Sequence, residues 1–205
     1  MKTLFISIFL ILLPLPSYAE IFHLPSCGSS GYPADSLPDV SDMRRVGIKT
    51  NGVLWGATVM NAEGELFFHP HISCSLGLAW CPWFLSDKFS LRNLSILPEA
   101  RWWLNKNMSG HFFGIHISVS WYNVKYEDYR YQDTGRPLLG AGITYGYYFP
   151  LTKHWGIELS VGAGYVNMRY DRFLNVSNGP KLDTRQTSWF GIDRAAVSLS
   201  YRLPL

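Results

Sequence analysis

Trp155-Gly156-Ile157-Glu158-Leu159-Ser160-Val161-Gly162-Ala163-Gly164-Tyr165 alternates between large apolar residues and small or charged ones along its whole length. Successive side chains of an extended chain point to opposite faces. Trp155, Ile157, Leu159, Val161, Ala163 and Tyr165 therefore share one face, and Glu158, Ser160, Gly162 and Gly164 share the other. A helix would scatter both sets around its axis, so the stretch reads as a strand with one apolar face.

The same period runs outward in both directions. Leu139, Ala141, Ile143, Tyr145, Tyr147 and Phe149 alternate with glycines and Thr144; Phe113, Ile115, Ile117, Val119 and Trp121 alternate with Gly114, His116, Ser118 and Ser120. Ala195, Val197, Leu199, Tyr201 and Leu203 oppose Arg194, Ala196, Ser198, Ser200 and Arg202. Upstream, Ile72 to Trp80 and Leu94 to Leu104 repeat the pattern, and weaker alternation over Val46 to Val59 and Glu63 to Phe68 supplies a first hairpin that turns near Asn61. About eight strands are expected.

Connection lengths separate a soluble sandwich from a barrel, because outer-membrane barrels alternate short periplasmic turns with longer external loops. His69-Pro70-His71, Asn105 to Gly110 and Pro150 to His154 are short and fall at every second connection. Tyr126 to Pro137 and Asp171 to Ser188 are long and fall between them; those near Asn61 and Ser86-Asp87-Lys88 are short exceptions. Trp102, Phe112, Phe149 and Trp155 lie near the short-turn ends, and Trp80, Trp121, Tyr165 and Trp189 toward the opposite ends. Two aromatic girdles at membrane interfaces have this arrangement. The expected fold is an all-β, antiparallel transmembrane β-barrel of about eight strands in an up-and-down meander, spanning residues 44–205.

The N-terminal region fits that destination. Lys2, an apolar run from Leu4 to Leu15 and Ser17-Tyr18-Ala19 before Glu20 form the layout of a secretory signal peptide over residues 1–19. The run is too short for a membrane-spanning helix, which needs about 20 residues. Residues 20–43, with Pro25, Pro33, Pro38, Gly28 and Gly31, read as a periplasmic tail. Losing the leader removes Lys2 and leaves 17 basic against 15 acidic residues, a net charge of +2. That balance argues against a nucleic-acid partner.

The chain has three cysteines. On one strand Cys74 and Cys81 would stand roughly 23 Å apart, beyond disulfide reach, and no Cys-x-x-Cys pair suggests a metal. They read as unpaired. A lipid anchor on Cys27 stays open, although Glu20 and His23 separate that cysteine from the apolar run. Asp128 and Asp133 lack the Gly and spacing of a dedicated calcium loop. No metal or cofactor is expected.

With the apolar faces toward lipid, the inward set includes Lys49, Glu65, Glu99, Arg101, His116, Glu158, Arg194 and Arg202. Charges in a narrow lumen must be paired, and an eight-strand ring is just wide enough for its own side chains. A mutually neutralising plug is expected rather than an aqueous channel. His71/Ser73 and His116/Ser118 each place a base and a hydroxyl on one face, as nucleophilic catalysis requires. His116 and Ser118 would point into the lumen, however, and His71 toward the periplasm, both away from outer-leaflet lipid. Tyr126, Tyr129, Arg130 and Tyr131, in a long external connection, suit recognition of a partner or a solvated rim facing lipopolysaccharide.

Asp128-Tyr129-Arg130-Tyr131, Gly140-Ala141-Gly142-Ile143-Thr144-Tyr145-Gly146-Tyr147, Lys153-His154-Trp155 and Gly162-Ala163-Gly164-Tyr165 follow one another in order. They are preceded by Val46-Gly47-Ile48-Lys49-Thr50-Asn51, Pro98-Glu99-Ala100-Arg101-Trp102-Trp103 and Gly110-His111-Phe112-Phe113-Gly114. This ordered set, over about residues 45–203, resembles the Bacteroides-group family of small outer-membrane barrels catalogued as a domain of unknown function. The resemblance implies the barrel fold and an accessory role in surface structures such as fimbriae, and it carries over no catalytic or ligand residue.

The expectation is thus a non-enzymatic, monomeric protein of a Gram-negative outer membrane with its N-terminal tail in the periplasm. Its partners would be membrane lipid, lipopolysaccharide and fimbrial or other envelope proteins. A lipid-modifying enzyme and a narrow channel or small-ligand carrier remain as alternatives.

Overall fold

A computed structural model describes residues 46–84 and 86–203. The leader, the tail and Cys27 lie outside the described residues. Strand β1 (Val46–Asn51) leads through a one-turn helix, α1 (Gly52–Gly56), into β2 (Met60–His69) and β3 (Ile72–Phe84). There follow β4 (Phe89–Trp103), β5 (Gly110–Tyr126), the short β6 (Tyr129–Asp133), β7 (Leu138–Pro150), β8 (Trp155–Leu174) and β9 (Lys181–Arg202).

Every pairing is antiparallel. β1 joins β2 on one side and β9 on the other, with Ile48 opposite both Gly64 and Tyr201. First and last strands therefore meet, and β1–β5 with β7–β9 form a closed ring of eight in up-and-down order. Closure pairs edges that an open sheet would leave exposed. β6 stands outside the count, taking the place of β7 between β5 and β8 where those strands rise above the ring.

The faces are inverted relative to a sheet in water. On β3, Ile72, Leu76, Leu78 and Trp80 are about half exposed, whereas Ser73, Ser75, Ala79 and Cys81 are buried. Cys74 points out and Cys81 in, and both thiols are free. Inside, Phe67, Trp103, Met108, Phe112 and Tyr148 pack together near the short turns, so Phe112, expected in an interfacial girdle, instead fills the interior. Toward the other end Val59, Ala79 and Cys81 pack with Leu54, Ala57 and Leu91.

The short turns 70–71, 104–109 and 151–154 do share one end. Two expectations about the other end are corrected. Residues 52–59 are not strand: the Asn51 side chain caps α1 by accepting from the Val53 N–H at 3.0 Å, and Asn61 lies within β2, bonded across to Thr50 and Asn51. The long connections are not loops either. β5 and β8 extend to Tyr126 and Leu174, and β4, β5, β6, β8 and β9 pair in that order to build a ribbon. The turns shrink to Glu127-Asp128 and residues 175–180, where Glu127 and Asn178 take positive φ.

Candidate functional site

β1, β2, β4, β8 and β9 each send charged side chains to the middle of the ring. Lys49 Nζ contacts Glu63 at 3.1 Å, Glu65 at 2.9 Å and Glu158 at 3.0 Å. The Arg101 guanidinium reaches Glu63 at 2.8 Å and Glu158 at 3.0 Å, and its Nε donates to Glu99 at 2.8 Å. Arg194 binds Glu63 and Glu99, each at 2.9 Å. Four carboxylates thus share three cations, and each cation bridges at least two strands. Burial of this many charges is tolerable only because every one is multiply paired.

Beside this lattice, His116 Nδ1 lies 2.8 Å from Thr144 Oγ1 and Nε2 lies 2.9 Å from Asp193 Oδ2. Glycines on the neighbouring walls make the room. A Cβ at Gly142 would strike the His116 ring, and one at Gly114 the Glu99 carboxylate.

Seven of the eight interior residues expected from sequence, Lys49, Glu65, Glu99, Arg101, His116, Glu158 and Arg194, come together here. Arg202 stands apart. Its guanidinium lies 3.9 Å from the Tyr148 ring centroid and 4.8 Å from that of Phe67, and it donates to the Met108 carbonyl at 2.8 Å. Glu63 and Asp193 were missed. Glu63 carried a usable signal, since it is two residues from Glu65 and shares its face. Asp193 did not: a bulge sets Arg194 opposite Gly162 and Ile192 opposite Ala163, so Asp193 turns inward beside Arg194.

Neither His-Ser pair forms a hydrogen bond among the described residues. His71 Nδ1 lies 2.7 Å from the Trp103 carbonyl, and Ser73 donates to Glu65 at 2.6 Å while accepting from Trp103 Nε1 at 2.8 Å. Both His116 nitrogens are engaged away from Ser118.

The ribbon divides the other candidate set between its faces. Arg130 lies on the outer face, its guanidinium 4.6 Å from the Phe173 ring centroid. Tyr131 is buried on the inner face with its ring 5.9 Å from that of Tyr170, and Tyr129 lies under Arg172 at 5.0 Å. Tyr126 meets Phe89 edge-on at 5.5 Å. These four residues are therefore not one patch. Asp183, also on the ribbon, has its carboxyl held below the usual range: desolvation raises it, but the hydrogen bond from Arg185 and the charges of Arg172 and Arg185 outweigh that.

The profile of the family described as Protein of unknown function (DUF3575) matches residues 34–203, and the chain belongs to that family. No curated protein and no solved structure matches it.

Proposed function

We propose that this chain is a non-enzymatic outer-membrane β-barrel, a structural or interaction protein of the cell envelope that holds the ribbon outside and residues 20–43 in the periplasm. The observation that carries this reading is the apolar outer surface, with Ile115 69% and Ile143 68% exposed. In water such a continuous belt would drive association; in lipid it is the solvent-facing surface. From Trp155 to Tyr165 the belt on β8 is about 25 Å tall for a strand tilted by roughly 40°, the height of a membrane-barrel band.

The paired charges of the interior support a rigid pedestal more than a conducting pore. The ribbon then becomes the part available to partners, fimbrial or other envelope proteins among them. The fimbrial reading rests on the family resemblance. Fractionation of cells expressing the full chain, followed by protease treatment of the intact cells, tests the arrangement. Recovery in the outer membrane with cleavage confined to the connections at the outer end, residues 127–128, 134–137 and 175–180 among them, is expected. Recovery in a soluble fraction would overturn it.

A further inference from the structure

The strand register aligns Arg92 of β4, Asn123 of β5 and Gln132 of β6 side by side on the outer face of the ribbon. Neighbouring strands lie about 4.8 Å apart, so these side chains make one row of N–H donors. None of the three makes a side-chain hydrogen bond or ion pair among the described residues. Arg101 and Arg194, by contrast, are fully occupied with carboxylates.

One step of the pleat nearer the ring lie Trp80, Leu94 and Trp121, paired across β3, β4 and β5 and exposed. Together with the donor row they line a recess of about 430 Å³. Lys125 and Arg130 face the same side one row farther out. The nearby carboxylates have partners of their own, a cation for Asp171 and backbone N–H groups for Asp133, which also lines the recess. Asp171 binds Lys181 at 2.7 Å and Thr184 at 2.6 Å. Asp133 accepts from the backbone N–H groups of Tyr122 and Gly135, both at 3.2 Å.

An apolar floor beneath an uncommitted guanidinium and two amides matches a ligand that is apolar at one end and anionic at the other. We propose that the recess binds the phosphate of an outer-leaflet lipid, with Arg92, Asn123 and Gln132 on the phosphate oxygens and Trp80, Leu94 and Trp121 against the upper part of an acyl chain. A guanidinium offers paired donors suited to phosphate, and tryptophan favours this depth of a bilayer. The assignment rests on the membrane reading above.

Native mass spectrometry of the full chain in detergent micelles, titrated with dioleoyl phosphatidic acid or with dioleoylglycerol, tests it. Retention of phosphatidic acid should exceed that of dioleoylglycerol by about tenfold or more, and Arg92→Ala should remove about tenfold of it. Arg169→Ala, on the same face outside the recess, should change retention by less than about twofold, a surface charge acting only weakly. Equal retention of the two lipids, or equal effects of the two substitutions, would overturn the site. So would complete displacement of the lipid by about 10 mM inorganic phosphate, which would make the ligand a soluble anion instead. Failure of the unsubstituted chain to insert into phosphatidylcholine vesicles would overturn the membrane reading; normal insertion without phosphate preference would overturn this inference alone.

Discussion

Lys49 and Glu158 are 109 residues apart in sequence and 3.0 Å apart across the ring. The contact ties the first strand to the wall built by β8, and the same ammonium holds Glu63 and Glu65. Replacing it leaves buried carboxylates with too few partners, so Lys49→Met should cost about 3–5 kcal/mol. Urea unfolding in micelles measures this. The double variant Lys49→Met/Glu158→Gln should recover part of the loss, because one of the stranded charges is removed with it.

Gly146 makes room for a ring rather than for a turn. A Cβ there would overlap Phe112, which is completely buried beside Trp103. Gly146→Ala should destabilise by about 1–3 kcal/mol through overpacking. Phe112→Leu in the same chain should relieve part of the strain, which thermal unfolding of both variants would report.

The ribbon should respond to acid through Asp183. Its folded pKa lies below the unfolded value, so its contribution is present above about pH 4 and is lost as pH falls through the folded value. Protease cleavage near residues 175–180 should therefore rise as the pH is lowered below 4. Asp183→Asn should flatten that dependence and raise cleavage at neutral pH.

Exchange of Tyr126 to Gln132 for a Gly/Ser segment should leave insertion intact, since the ring closes without β6. Surface-fibre assembly or partner binding should fall, as measured by pull-down from the envelope fraction and by electron microscopy. Unchanged binding and assembly would remove the ribbon from the functional account.

The ring was legible because each of its strands contrasts an apolar face with a small or polar one, as Ile157 does with Glu158. The ribbon was not, because polar and charged residues stand on both of its faces, Asp183 and Arg185 on one and Asp171 and Thr184 on the other, and the contrast disappears. Thr184-Arg185-Gln186-Thr187-Ser188 is a good strand with nothing apolar to mark its period. The interior charges were legible by parity where the period held, and parity failed at Asp193, where the bulge adds a residue. α1 was hidden because five residues are too few to show a helical period, and only the capping Asn51 marks its start. The pairing of Arg202 with aromatic rings instead of acids could not be read from one strand, since Phe67, Trp103 and Tyr148 come from three others.

The central claim is that the outer face of the ring meets lipid. The most direct measurement is the unfolding free energy, in phosphatidylcholine bilayers, of Ile115→Arg at mid-height and Phe190→Arg near the upper rim. The account predicts a loss of about 2–4 kcal/mol for the first and about 0–1 kcal/mol for the second. Equal, negligible effects at both positions, with the protein stable in buffer without lipid, would contradict it.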